Sequence, residues 1–359
     1  MSKTNFFDSK IFKSRVTTRT VSTKEKILGH LIGPLGLIFI INTIAALVEK
    51  FFTQQVGAMY ANNIDKITQM GTVYETVMTI TKLVGIVTGI LIPLLISKTK
   101  SSNGRFRTLY PFFGILSVIL GCTIFLRNDN VTDKFWITFF ILLVVYHTIA
   151  CVFFYLFRDN IVSLSSRSAK EKYQLSFIRK ASWTLISGII IGMIINMVVL
   201  PLWLEKDING YALLLIILSI VSIPLIFLEF YYTRERIIEE DVEEKIKEEI
   251  PIKVQLKALF SDKFFIIMTI ISTVITIADN FKGGNVQYFY IKFCLNGENN
   301  PLMYTIYQVV TGVPLGIGAI AIYPLAKKYG IKNVSLIGFA LLLSFFGSTI
   351  GCSFGAFSC

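Results

Sequence analysis

Charge is scarce in this sequence: 16% of its 359 residues are Asp, Glu, Lys or Arg, against about 25% in a soluble domain. Histidine is almost missing, with only His30 and His147. The five cysteines (Cys122, Cys151, Cys294, Cys352 and Cys359) form no CxxC pair and no Cys/His cluster. That excludes a disulfide framework and a thiolate metal centre, so neither metal nor cofactor is expected. HExxH and GxSxG are absent, which leaves no case for a zincin or a serine hydrolase. No nucleotide-binding glycine pattern exists either, which argues against an ATP-driven pump and against an enzyme in general.

What is abundant is apolar surface. Hydrophobic residues make up 53% of the chain, with 30 Phe and 15 Tyr, and the mean hydropathy is +0.65. A bilayer, whose interfaces favour aromatic rings, is the environment that composition suits. The net charge of +12 sits in short stretches between apolar runs. It therefore reads as a membrane-orientation signal, and no nucleic-acid partner is expected.

A span needs about 20 mostly apolar residues. Runs that qualify cover 27–48, 71–96, 109–126, 135–157, 181–203, 210–232, 264–291, 302–326 and 333–353, about nine in all. The first is too deep in the chain and followed by too many others to be a cleaved signal. Residues 1–26 carry seven Lys/Arg against two acids, 97–108 carry four against none, 158–180 six against two, and 327–332 three against none. The intervening stretches 127–134 and 204–209 are near neutral. This alternation puts the N-terminus in the cytoplasm of a multi-pass protein of the cell membrane.

The stretch 233–263 separates six spans from three. It offers Asp241–Lys245, Glu243–Lys247 and Glu249–Lys253 as i,i+4 pairs of a solvated linker helix. The expected organisation is a cytosolic segment 1–26, a six-helix bundle 27–232, a cytosolic loop 233–263, and three helices of a second bundle over 264–359. Two stretches echo each other, PLLISKTKSSNGRFRTLYPFFG (93–114) and PLAKKYGIKNVSLIG (324–338). Each runs from a proline through basic residues to a glycine turn, as parallel halves of a carrier would. On that pattern the second half is expected to lack three helices.

Several ordered stretches resemble the glycoside–pentoside–hexuronide symporters, the melibiose-permease-like branch of the major facilitator superfamily. They are KEKILGHLIGPLG (24–36), FFTQQVG (51–57), SKTKSSNGRFR (97–107), SLSSRSAKEKYQLSFIRKAS (163–182), YYTRERI (231–237) and QYFYIKF (287–293). The resemblance implies an all-α, major-facilitator-type helix bundle with about nine spans of an expected twelve. It implies a monomeric carrier moving a small solute, a sugar or glycoside, by alternating access, with Na+ or H+ as coupling ion. Aligned on Gly104, the family's two cation-binding aspartates fall on Gly85 and Gly89 and its second-helix arginine on Lys82. An acidic position of the first helix falls near Ile38, and one late in the fourth falls at Arg158 with Asp159 adjacent. Arg179 matches the family's sugar-binding arginine.

Ionisable groups within spans tend to face a cavity or a partner. Glu75 and Lys82 lie seven residues apart on one helix face, suited to a proton and a substrate anion respectively, with an interfacial carboxylate as the alternative for Glu75. Asp279, Asn280 and Lys282, beside Gly283–Gly284, mark a polar and bendable seventh span. There they either line a substrate cavity or hold a kink, and Asp279 is a proton-coupling candidate. His147 is a candidate proton relay, and Trp183 a sugar-stacking ring or an interfacial anchor. The alternatives to a coupled carrier are an uncoupled or proton-coupled one, and a truncated or degenerate carrier without transport activity.

Overall fold

The computed structural model describes residues 6–98, 101, 103–126, 133–183, 207–237 and 252–267, with scattered helical positions within 194–204 and 269–340. Two compact units divide at Pro301/Leu302, and the fold below is that of the first. Among the described residues there is no strand. In a bilayer every backbone N–H and C=O needs a partner within its own segment, which these apolar runs meet as helices.

Among the described residues, five helices are long and apolar enough to cross a membrane: α1 (Glu25–Met59), α2 (Ile64–Lys98), α3 (Phe106–Ile124), α4 (Lys134–Ser165) and α6 (Gly210–Tyr232). Between the last two stands α5 (Ala169–Ala181), and beyond them α7 (Ile252–Ser261) starts directly behind Pro251. Most of the expected fifth span (181–203), and of those at 264–291, 302–326 and 333–353, lies outside the described residues.

The core is centred on α6, which packs against α1 and α3. A stripe of small residues on α1 makes this possible. A Cβ on Gly29 would stand 2.3 Å from the Tyr232 carbonyl oxygen, one on Gly33 2.6 Å from Glu229 Cβ, and one on Gly36 2.7 Å from Ser222 O. With lipid as the alternative neighbour, such close backbone approach is a main source of helix–helix affinity. Where this contact begins, at Gly29, α1 is widened into a π-helical stretch, Glu25–Ile32, closed by Gly33 N donating to Leu28 O at 3.0 Å. The following Pro34 explains it, because it has no N–H to give and its ring crowds the carbonyl four residues back. A second π-helical stretch, Tyr146–Cys151, interrupts α4 where it meets α2.

Three sequence boundaries shift. The first helix continues past Val48 to Met59, because Phe51, Phe52 and Val56 still pack inward. The second begins at Ile64, seven residues ahead of the apolar run. The basic stretch 158–180 is not a loop: α4 runs to Ser165, and α5 starts at Ala169. Only 166–168 connect them. Ser168 caps α5 by accepting from Glu171 N at 3.2 Å, while the Glu171 carboxylate accepts from Arg167 N at 3.2 Å, a variant of the Ser-x-x-Glu capping box.

The segment before α1 is folded against one end of the bundle, here called the basic end. Arg15 N donates to Tyr231 O at 2.9 Å, and Ser14 Oγ to Thr233 O at 2.9 Å. Phe12 stacks on Phe112 and meets Phe230 edge-on. The chain turn that receives this segment requires glycine, since Gly104 has φ +98° and the Glu235 carboxylate carbon lies 3.0 Å from where a Cβ would stand.

Candidate functional site

Polar side chains in the bundle gather in three places. At the basic end, Arg179 of α5 reaches α6 and donates to Glu229 Oε1 at 2.5 Å. Tyr110 Oη of α3 donates to the other carboxylate oxygen, and His30 Nδ1 of α1 stands 3.5 Å from Arg179 Nη1. Three helices thus meet on one carboxylate, and α1 joins them through Arg179. Beside it, Arg236 holds Glu25 with two bonds of 2.8 and 2.6 Å and donates to Ser165 O at 2.9 Å. Glu235 accepts from Arg105 N at 2.9 Å and Arg107 N at 2.5 Å. An unpaired charge here would be costly; paired and hydrogen-bonded, these groups fix how the helix ends meet.

The second place lies between α4 and α5. Arg158 binds Asp159 through Nε at 2.6 Å and Nη2 at 3.2 Å. Its guanidinium carbon sits 4.5 Å from the Trp183 ring centroid and 5.0 Å from that of Tyr155. Trp183 also stacks on Phe154 at 5.1 Å. The indole Nε1 is buried with no hydrogen-bond partner among the described residues. Asp159 stays 63% exposed, so the buried donor, the carboxylate and the aromatic wall lie side by side. Trp183, two residues beyond the end of α5, follows Arg179 by four positions, and Arg179 sits over Phe157 as Trp183 sits on Phe154. The arrangement suits a polyhydroxylated solute, which needs aromatic faces and charged hydrogen-bond partners at close quarters.

The third place is the α1–α2–α4 interface. Lys82 of α2 is exposed and within electrostatic reach of His147, which lies in the π-helical stretch of α4. About two turns away on α2, Glu75 is within electrostatic reach of Glu49 on α1, whose own neighbour is Lys50. The Tyr74 ring stacks on Phe52 at 4.5 Å and joins the two helices beside this carboxylate pair.

Of the residues singled out by sequence, Asp159 and Trp183 are therefore joined through Arg158, Arg179 pairs with Glu229 at the basic end, and Lys82 of α2 is within electrostatic reach of His147 of α4, with Glu75 seven residues earlier on α2. Asp279, Asn280 and Lys282 lie outside the described residues. Sequence reasoning missed Glu49, Glu229 and Tyr110. Glu49 directly follows the first apolar run, 27–48, and reads as a helix-end charge; only the continuation of α1 to Met59 brings it inside. Glu229 sits one turn from the end of α6, where a carboxylate ordinarily reaches solvent. Among the described residues no group of three or more His, Cys, Asp or Glu could hold a metal.

The sequence model of a family described as MFS/sugar transport protein matches residues 29–351. Neither the curated proteins nor the solved structures yield a match.

Proposed function

This chain belongs to the family of MFS/sugar transport proteins, and from that premise we propose that it carries a sugar or glycoside across the cell membrane by alternating access, coupled to protons. The six helices of 27–232 form the first bundle, with the N-terminus in the cytoplasm. The loop 233–263 leads to helices of the second bundle in 264–359. The solute is held on the α4–α5 seam by Asp159, Arg158 and Trp183, with Arg179 next to it. Asp279, Asn280 and Lys282, which the sequence marks as a polar stretch of the seventh span, are further candidates for solute contact.

What supports the coupling is that Glu49 of α1 lies within electrostatic reach of Glu75 of α2. Gly85 and Gly89, where the related symporters keep aspartates for a cation, offer no side-chain oxygen to sodium, which needs several hard ligands. A facing carboxylate pair can instead take up and release one proton, since two like charges at close range resist full ionisation. Lys82, seven residues further along α2, and His147 of α4 within its electrostatic reach relay charge toward the solute site.

The test is uptake of labelled glycosides and pentosides by a permease-deficient host expressing the protein. Uptake should collapse when the proton gradient is dissipated and ignore the sodium gradient. Glu75→Gln and Glu49→Gln should each remove the proton dependence. Uptake insensitive to both gradients would overturn the coupling, and no uptake of any tested sugar would overturn the substrate class.

A further inference from the structure

Where α1 and α5 begin, at the basic end, they frame an open cleft of 310 Å³ lined by Lys26, Tyr173, Gln174, Phe177 and Ile178. We propose that this cleft binds an anionic phospholipid, its phosphate on Lys26 and an acyl chain along Phe177. None of the solute-site or coupling residues lies in it.

The first argument is charge. Lys26 Nζ donates one bond, to Gln174 Oε1 at 2.8 Å, and an ammonium has two more donors to give. Lys170 precedes Gln174 by one turn, on the same ridge of α5 as Tyr173 and Phe177, and is exposed. The acids nearest in sequence are already engaged elsewhere. Glu25 is 0% exposed and holds Arg236, and Glu171 accepts from the backbone of Val21 and Arg167. Both helices also present their N-terminal, electropositive ends here. Among the described residues no free carboxylate lines the cleft, and its cationic lining suits a partner that carries negative charge.

The second argument is the order of chemistry along the bundle. The cations sit at the first turns of α1 and α5, and Phe177 lies about 10 Å further along α5, seven residues at 1.5 Å each. Ile27 and Phe177 are 44% and 52% exposed. Charge at the membrane boundary and exposed apolar surface deeper in is the profile of a phospholipid standing in its own leaflet. A soluble phosphate would use only the first half of it. On the proposed topology this is the cytoplasmic leaflet, where anionic lipids attract juxtamembrane Lys and Arg.

Native mass spectrometry of the full chain released from detergent tests this without reference to transport. Phosphatidylglycerol, phosphatidylcholine of the same acyl chains, and glycerol phosphate are compared as added probes. Phosphatidylglycerol should be retained at least about fivefold over phosphatidylcholine, in line with the weight of one Lys at a membrane surface. Lys26→Glu should remove that preference, and Phe177→Ala should weaken both lipids together. Lys170→Glu, at an exposed position that cannot unfold the bundle, should reduce the preference even if Lys26→Glu expresses poorly. Lys66→Glu, an exposed cation on α2, should leave it unchanged. Equal retention of both lipids, glycerol phosphate binding as tightly as phosphatidylglycerol, or no effect of Lys170→Glu and Lys26→Glu would each overturn the proposal. Retention of neither lipid, as when another part of the chain covers the cleft, would do so as well.

Discussion

Arg179 of α5 and Glu229 of α6 form a 2.5 Å ion pair in which the two side chains are 4% and 0% exposed. Tyr110 donates to the same carboxylate from α3, so each carboxylate oxygen has a partner. Removing one member strands the other in a low-dielectric site. Glu229→Ala and Arg179→Ala should each cost about 3–5 kcal/mol of stability, read as earlier thermal unfolding of the purified protein in detergent. The double variant should lose clearly less than the sum, because it leaves no orphaned charge. Strict additivity would show that the pair is not a unit.

The glycines separate into two kinds. Gly33→Ala puts a methyl 2.6 Å from Glu229 Cβ, whereas alanine at Gly85 or Gly89 meets nothing within 4 Å. We expect Gly33→Ala to lose about 1–3 kcal/mol through overpacking at the α1–α6 contact. Gly85→Ala and Gly89→Ala should leave stability unchanged or raise it by up to about 1 kcal/mol, through helix propensity. Comparison of the three unfolding temperatures decides it, and equal losses at all three positions would contradict the helix contact.

Glu171 ties the N-terminal segment to α5 and gives that attachment a pH dependence. Slight burial raises its carboxyl, but hydrogen bonds from the backbone of Val21, Arg167 and Ser168, with Arg236 nearby, outweigh this and hold it below the ordinary value of 4.5. A depressed carboxyl contributes its stabilisation above the unfolded value and loses it as pH falls through the folded one. Hydrogen exchange at the Val21 amide, corrected for intrinsic rate, should therefore be protected at neutral pH and lose protection below about 4.5. Glu171→Gln should flatten this dependence. Protection that persists unchanged at pH 3 would rule it out.

Much of this bundle was legible in the sequence because a bilayer leaves few options. Apolar runs had to be helices, and the runs starting near 27, 109, 135 and 210 became α1, α3, α4 and α6. What composition could not show was where a polar residue is tolerated inside the bundle. Arg158 and Arg179 read as members of a basic loop, yet the helices absorb them, one through Asp159 and the other through Glu229. A hydropathy window sees each charge singly, whereas burial depends on a partner 50 residues away in the case of Arg179 and Glu229. The same blindness hid Glu49, whose meaning depends on Glu75 across the helix pair. The small-residue stripe Gly29, Gly33 and Gly36 shows its purpose only once α6 is seen against it.

The α4–α5 seam sharpens the expected part of Trp183. Its ring is already stacked on Phe154 and overlaid by the Arg158 guanidinium, which leaves less aromatic face for a sugar. Its unpartnered feature is the buried Nε1. A solute hydroxyl that accepts from this N–H would satisfy a donor whose isolation otherwise costs about 1–3 kcal/mol. Trp183→Phe keeps the stacking and removes only the donor. We therefore expect it to weaken solute binding by roughly tenfold while unfolding at the wild-type temperature. Asp159→Asn should also weaken binding, by releasing Arg158 from its bidentate pair. Equilibrium binding of labelled glycosides to the purified protein measures both. If Trp183→Phe binds as the wild type does and Trp183→Ala loses stability instead, the indole is a packing element and the solute lies elsewhere on the helix face.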